Sequence, residues 1–176
     1  MAVIIKNRQV ENNPWQLLRA GADKAFPAVP PTGDVIVSLA QWQAQKAALL
    51  ARSGRLGVWL AGNDDPANVA TDLKHFALVA VDFPHFTDGR GCSIARLLRE
   101  RYGWTGELRA IGHVIRDVVF YFSRCGFDAF DLLAGEDAQA ALSAFGDFSE
   151  AYQTSVERPQ PLFRRRAGVA QAAAAK

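Results

Sequence analysis

The chain has 176 residues, enough for one domain with a substantial core, and its apolar fraction of 49% is ordinary for a globular protein. No apolar run approaches the roughly 18 residues that a membrane helix needs, and the N-terminus lacks the pattern of a signal peptide. We therefore expect a cytoplasmic protein with no membrane association. Two cysteines are too few for a disulfide framework and have no metal-ligand spacing, so a zinc site is not expected.

The formal charge of +2 is unevenly distributed. Residues 157–176 carry +4, which leaves −2 for residues 1–156. A mildly acidic domain argues against nucleic-acid binding, which usually places a basic stripe on a folded face. We predict a single α/β domain over residues 1–156, followed by a basic, alanine-rich and disordered tail over residues 157–176.

Apolar runs and helical patterns alternate along most of the chain. A short hairpin is predicted around Asn12–Pro14, where turn-forming residues cluster. The predicted strands are Val35–Leu39, Leu56–Leu60, Phe76–Val81, Glu107–Ile111 and Phe127–Leu132. The predicted helices are Ala40–Arg52, one that begins at Pro66, Gly91–Tyr102, Val114–Arg124 and Glu136–Tyr152.

This alternation predicts an α/β fold with a mostly parallel sheet of about five βα units. The length excludes a complete eight-stranded α/β barrel, which typically needs about 250 residues. Two architectures remain: an open doubly wound sheet, which we favour, and an incomplete barrel-like sheet. The strand order does not follow from periodicity, so the position of a ligand crevice is left open.

The most informative segment is Asp82–Gly91, which reads Asp-Phe-Pro-His-Phe-Thr-Asp-Gly-Arg-Gly. It lies between a buried strand and an amphipathic helix, where ligands bind in parallel α/β folds. Together with the helix that follows and the run Arg124–Phe130, it resembles the bacterial domain-of-unknown-function family 934. The resemblance covers roughly Pro14 to Leu132 and is densest from Phe83 to Phe130.

Members of that family are often described as oxidoreductases involved in sulfite reduction. The resemblance therefore implies a role in sulfur assimilation and a sulfite-reducing enzyme, or another protein of that pathway, as a partner. Cys92 stands where the family pattern has a tyrosine, and His113 stands where it has an aspartate.

The residues themselves suggest an anion site at the predicted helix entrance. Backbone N–H groups and the helix dipole favour an anion there, and an arginine adds positive charge. The predicted small-oxyanion site comprises Asp88, Gly89, Arg90, Gly91, Ser93 and Arg116. In the alternative interpretation, Asp88 caps the helix, Arg90 pairs with Asp82 or Asp88, and the glycines only form the turn.

A second set of polar residues follows the next predicted strand. If neighbouring loops converge, we expect it to support the anion site with additional arginines and carboxylates. The supporting set comprises Arg109, His113 and Asp117 of this group, together with Asp82 from the preceding loop. Cys92 has two interpretations, a thiol with a lowered pKa near a helix N-terminus or a small buried apolar group, and we favour the second.

No cofactor is evident, because the chain lacks a dinucleotide fingerprint, a Walker-type lysine and an acyl-transfer elbow. Two functions remain. The first is an accessory protein of assimilatory sulfite reduction with a small-oxyanion-binding loop, or a scaffold without a ligand. The second is a sulfite-handling oxidoreductase, whose catalytic residues we do not assign.

Overall fold

The computed structural model describes residues 3–21 and 25–166. The strands are β1 (Val3–Lys6), β2 (Gln9–Asn12), β3 (Gln16–Leu17), β4 (Val35–Ser38), β5 (Leu56–Leu60), β6 (Leu78–Phe83), β7 (Glu107–Gly112) and β8 (Ala129–Phe130). The helices are α1 (Leu39–Ala51), α2 (Ala67–Ala70), α3 (Arg90–Glu100), α4 (Arg116–Cys125) and α5 (Ala138–Ala141), with 3-10 turns at Leu73–His75 and Leu142–Gly146.

The eight strands form one mixed sheet in the order β2-β1-β8-β7-β6-β5-β4-β3. Neighbours from β3 to β8 are parallel, whereas β1 is antiparallel to both β2 and β8. The prediction of an α/β fold is confirmed, but the favoured doubly wound sheet is wrong, and the sheet is mixed rather than a mostly parallel sheet of five βα units. The strand order never reverses between β3 and β8, so this region has no switch-point crevice.

The sheet curls into a half-barrel, as the alternative prediction stated. The chain itself requires this curvature, because β2 and β3 lie at opposite edges of the sheet and only residues 13–15 join them. Eight flat strands would separate those edges by about 34 Å. The connection spans at most about 14 Å. The edges therefore approach each other, and residues 13–15 cross the open side.

The two faces of the sheet are covered differently. The outer face packs against the helices through alternate strand residues such as Val79, Val81 and Phe83. On the concave face, Trp15 packs against Ile36, Leu78, Ala80 and Ile111. Successive right-handed crossovers that advance in one direction place the helices on one face, so the N-terminal segment must cover the other.

Local sequence accounts for several element ends. Ser38 caps α1, since its hydroxyl accepts a hydrogen bond from the backbone of Gln41. Gly126 ends α4 with a φ of 111°, a left-handed conformation that favours glycine at the end of a helix. The predicted hairpin at Asn12–Pro14 is wrong. The hairpin turns instead at Asn7 and Arg8, which both have positive φ.

The C-terminal part of the chain differs from the prediction in its helix content. The predicted helix Glu136–Tyr152 is reduced to α5 and the 3-10 turn that follows. Within the predicted tail, Arg165 binds Glu150 at 2.6 Å, and residues 167–176 lie outside the described residues. None of the helices in residues 3–21 and 25–166 has the length and apolar character that a membrane crossing requires.

Candidate functional site at the carboxyl ends of the strands

The loop between β6 and α3 contains a tight pair, Asp88 and Arg90. The Asp88 carboxylate accepts hydrogen bonds from the Arg90 backbone N at 3.2 Å, from Nε at 2.9 Å and from Nη2 at 2.7 Å. These side-chain and backbone hydrogen bonds lower the pKa of Asp88 to about 2. We call residues 88–90 the Asp88 turn. Arg90 pairs with Asp88 here, as the alternative interpretation allowed.

Arg90 also connects two loops at the carboxyl ends of the strands. Its side chain lies across Gly62, which follows β5, and a Cβ at Gly62 would be 3.2 Å from Nε. The side chain is nevertheless 60% exposed. Asp88 is the sole hydrogen-bond acceptor for the Arg90 side chain within the described residues, so the guanidinium is oriented and keeps donors facing solvent.

The two glycines of the predicted site have different roles. Gly89 has a φ of −81° and open space where a Cβ would lie, so neither conformation nor packing requires glycine there. A Cβ at Gly91 would be 2.6 Å from the Phe83 ring and 2.8 Å from Val81. Gly91 therefore allows α3 to pack closely on β6. Ser93 is exposed in the first turn of α3.

Arg116 forms its ion pair with Asp147, outside the Asp88 turn. At the start of α4, its guanidinium donates to both carboxylate oxygens of Asp147, at 2.6 and 2.9 Å, and to Ser143 at 3.3 Å. Asp117, the next residue, is 78% exposed and lies 3.6 Å from Arg116. Within the described residues, no contact joins Arg116 to the Asp88 turn.

The loops after β6 and β7 do converge. The His113 backbone N donates to the Phe83 carbonyl at 2.7 Å, and the His113 and Phe86 rings are 5.9 Å apart. Gly112 makes this approach possible, because its φ is 93° and a Cβ there would lie 2.7 Å from Asp82 Oδ1. This convergence places His113 beside Phe86 of the loop and brings Gly112 close to Asp82.

Asp82 lies at the mouth of the half-barrel, on its concave face. It is the fifth residue of β6, and its carboxylate accepts a hydrogen bond from Arg19 Nη2 at 2.5 Å. The Arg19 guanidinium lies 5.3 Å from the Trp59 ring centroid, and the Trp59 indole N–H donates to the Leu18 carbonyl. Arg19 and Trp59 were not among the predicted residues, since nothing local in the sequence links residue 19 to β5 or β6.

Arg109 lies deeper inside the half-barrel, with an exposure of 1%. It donates to Glu107 at 2.7 Å and to the Asn13 side-chain oxygen at 3.0 Å, and Lys6 binds the other Glu107 oxygen at 2.9 Å. These contacts occupy the guanidinium on both sides. They fix the crossing segment to the sheet, which is a structural role.

Asp131 is a second carboxylate at the mouth that sequence reasoning missed. Its backbone N donates to the Ala110 carbonyl, one step beyond the paired residues of β7 and β8, which places it beside Ile111. Asp82 pairs with Ile111 from the other side. Burial raises the pKa of Asp131, and Arg109 and Arg19 oppose that shift. Its position near the end of the predicted strand Phe127–Leu132 was the available signal.

The two thiols contact each other between α3 and α4. The Cys92 thiol donates a hydrogen bond to Cys125, and this bond, followed by burial, raises the pKa of Cys92, which is 8% exposed. Cys92 is therefore a buried thiol without a lowered pKa. Both cysteines are free. In residues 3–21 and 25–166, no group of three or more His, Cys, Asp or Glu side chains could hold a metal ion.

The comparison with known proteins yields one family. Neither the curated proteins nor the solved structures include a match to the chain. A family model described as "Bacterial protein of unknown function (DUF934)" matches residues 57–163, which is more than half of the chain and includes β6, the Asp88 turn, α3 and β8. The chain therefore belongs to the DUF934 family of bacterial proteins.

Proposed function

We propose that this protein is an accessory protein of assimilatory sulfite reduction that binds a small oxyanion at the Asp88 turn. Arg90 is the principal cation of the proposed site, and the Ser93 hydroxyl is a second donor. We also propose a cytoplasmic location, which is consistent with two free thiols. Support for the pathway comes from the resemblance, densest from Phe83 to Phe130, to a family whose members are described as involved in sulfite reduction.

The exposed and oriented guanidinium of Arg90 is the observation that carries the proposal. Two hydrogen bonds to Asp88 fix the fork of Arg90, and 60% of the side chain remains exposed. A pre-oriented fork loses less conformational entropy when it binds an oxyanion. The site also lies in the first turn of the eleven-residue helix α3, whose dipole favours negative charge.

Arg116 is not part of the proposed site, because Asp147 and Ser143 already occupy its guanidinium. Sulfite, sulfate and phosphate share the oxygens that Arg90 recognises, so the proposal names their shared chemistry. The pathway association favours sulfite among them.

Calorimetric titration with sulfite and sulfate at constant ionic strength tests the site. We expect saturable binding that Arg90→Ala weakens roughly five- to hundredfold, the range for loss of a charge-assisted hydrogen bond. Arg96→Ala is the matched control, since Arg96 is an exposed arginine on the same helix that pairs with Glu100. Equal binding by the Arg90 and Arg96 variants would exclude the Asp88 turn as an anion site.

The second candidate function is a sulfite-handling oxidoreductase, and the half-barrel mouth favours it. There Asp82 and Asp131 flank Ile111 at the ends of parallel strands, where α/β barrels place catalytic residues. Redox chemistry also needs an electron carrier. Purification of the full chain from its host distinguishes the two functions. Recovery of a sulfite-reducing enzyme supports the accessory function, and sulfite turnover by the isolated chain with an artificial electron donor supports the enzyme.

A further inference from the structure

A cavity of about 60 Å³ lies between the β1–β2 hairpin, the end of α4 and residues 148–158. It is at the opposite end of the sheet from the Asp88 turn. The hairpin residue Asn7 donates to the Asp128 carbonyl just before β8 begins, and α4 ends at Cys125. Both groups lie at the amino ends of the parallel strands, so the cavity is separate from the site proposed above.

Three arginines line this cavity, Arg8, Arg124 and Arg158, and Glu157 is the one carboxylate among the described residues that line it. The formal charge of this lining is therefore +2. Arg8 lies 3.4 Å from Glu157, which is a long ion pair, and Arg124 donates to the Gln153 carbonyl at 2.9 Å. These hydrogen bonds use one nitrogen of each guanidinium, and the other N–H donors remain available.

Arg158 is also incompletely neutralised. It donates to the Ser149 carbonyl at 3.4 Å and to Glu150 at 3.3 Å. Glu150 binds Arg165 more closely, at 2.6 Å. A single carboxylate is thus shared between two arginines, and the positive charge that faces the cavity is not balanced by its neighbours.

Aromatic side chains form the remaining wall. The Phe120 and Phe148 rings are 5.1 Å apart, and the Arg8 guanidinium lies 5.3 Å from the Phe145 ring centroid. The three cations line one cavity and repel one another, and solvent screens part of that repulsion because the side chains of Arg8 and Arg158 are 61% and 51% exposed. An anion in the cavity would relieve that repulsion.

The backbone at Arg8 points to the same conclusion. Arg8 has a φ of 64° at the second position of the hairpin turn, where glycine is usual because it adopts positive φ without a steric penalty. A long side chain in this conformation is uncommon and strained. Its presence beside the cavity suggests that the guanidinium has a function there.

The volume and the charge of the lining limit the class of ligand. One water-sized group needs about 10–15 Å³ of cavity, so 60 Å³ holds about four to six such groups. This is room for a small oxyanion such as sulfate or phosphate, and the lining charge of +2 matches a dianion. We propose that this cavity is a second anion site that binds a tetrahedral dianion through Arg8, Arg124 and Arg158.

Calorimetry on the full chain tests this proposal, with sulfate and phosphate as probes and chloride to hold the ionic strength constant. Arg124→Gln and Arg158→Gln should each weaken one binding event roughly tenfold or more, and Arg96→Gln should leave it unchanged. Arg90→Ala should affect only the Asp88 turn, so failure of one site is distinguishable from failure of the other. Unchanged sulfate and phosphate binding in both cavity variants would overturn the proposal.

A third variant separates binding from folding. Arg8→Gly removes a cation and also relieves the positive-φ strain, so it should raise the melting temperature while it weakens sulfate binding. In the wild-type protein, sulfate should shift the amide NMR signals of Ser123 and Ser155, which line the cavity. Sulfate affinity retained by Arg8→Gly, or unshifted amides at saturating sulfate, would contradict the site.

Discussion

Glu107–Arg109 and Asp88–Arg90 are two arginine–carboxylate pairs with the same spacing along the chain and opposite environments. On β7, residues two apart share a face, and the side chains of Arg109 and Glu107 are only 1% and 8% exposed. In the Asp88 turn, the side chains of Arg90 and Asp88 are 60% and 14% exposed. The buried pair holds the half-barrel together, whereas the exposed pair leaves an arginine accessible to a ligand. The residue types alone did not distinguish these roles.

Replacing each arginine in turn tests this difference most directly. Arg109→Met leaves Glu107 buried with only Lys6 as a partner, so the free energy of unfolding should fall by about 3–5 kcal/mol. Arg90→Met should change stability little, because exposed pairs are screened by solvent. Urea unfolding of both variants measures the difference. Similar losses in the two variants would show that the pairs do not differ as their burial suggests.

Gly89 in the Asp88 turn and Gly91 just after it allow a second test with a smaller expected effect. Gly91→Ala places a methyl group against Phe83 and Val81, so the free energy of unfolding should fall by about 1–3 kcal/mol. Gly89→Ala meets open space and should change it by less than about 0.5 kcal/mol. Thermal and urea unfolding provide the measurement. A larger loss for the alanine at position 89 would contradict the packing role of Gly91.

The smallest expected effect is the acid dependence of the Asp88 pair. Arg90 holds the pKa of Asp88 at about 2 in the folded protein, below its ordinary value of 3.8. The contribution of this group to stability is therefore complete above about pH 4 and is lost as the pH falls through 2. An NMR titration should show that midpoint, and Arg90→Ala should move it toward 3.8. An unchanged midpoint in the variant would exclude Arg90 as the cause.

Much of the fold was predictable because buried parallel strands are continuous apolar runs. Val35–Val37 and Leu56–Leu60 face the core on their outer side, and both were identified. The strand order was not predictable, because the same strands can be arranged in sequential order or in the order of a doubly wound sheet. The short connection at residues 13–15 determines the curvature, but this is visible only once β2 and β3 are known to be opposite edges.

The residues of the site were predictable only where their partners are close in the sequence. Asp88 and Arg90 are two residues apart and pair with each other, so their segment could be found from the sequence. Asp82 was assigned to a loop because the strand was ended at Val81, although β6 continues to Phe83. Arg19 reaches Asp82 across the half-barrel, and no pattern in the sequence indicates a contact of that range.

The pairing of β1 with β8 has a consequence for synthesis of the chain. Ile5 is translated well before its partner Phe130, which leaves the ribosome only after most of the sheet has been made. Until then, one edge of the N-terminal hairpin has unpaired backbone groups. Such long-range pairing slows folding, because loop-closure entropy is lost before the contacts form. We therefore expect the parallel strands to assemble first and the hairpin to dock last.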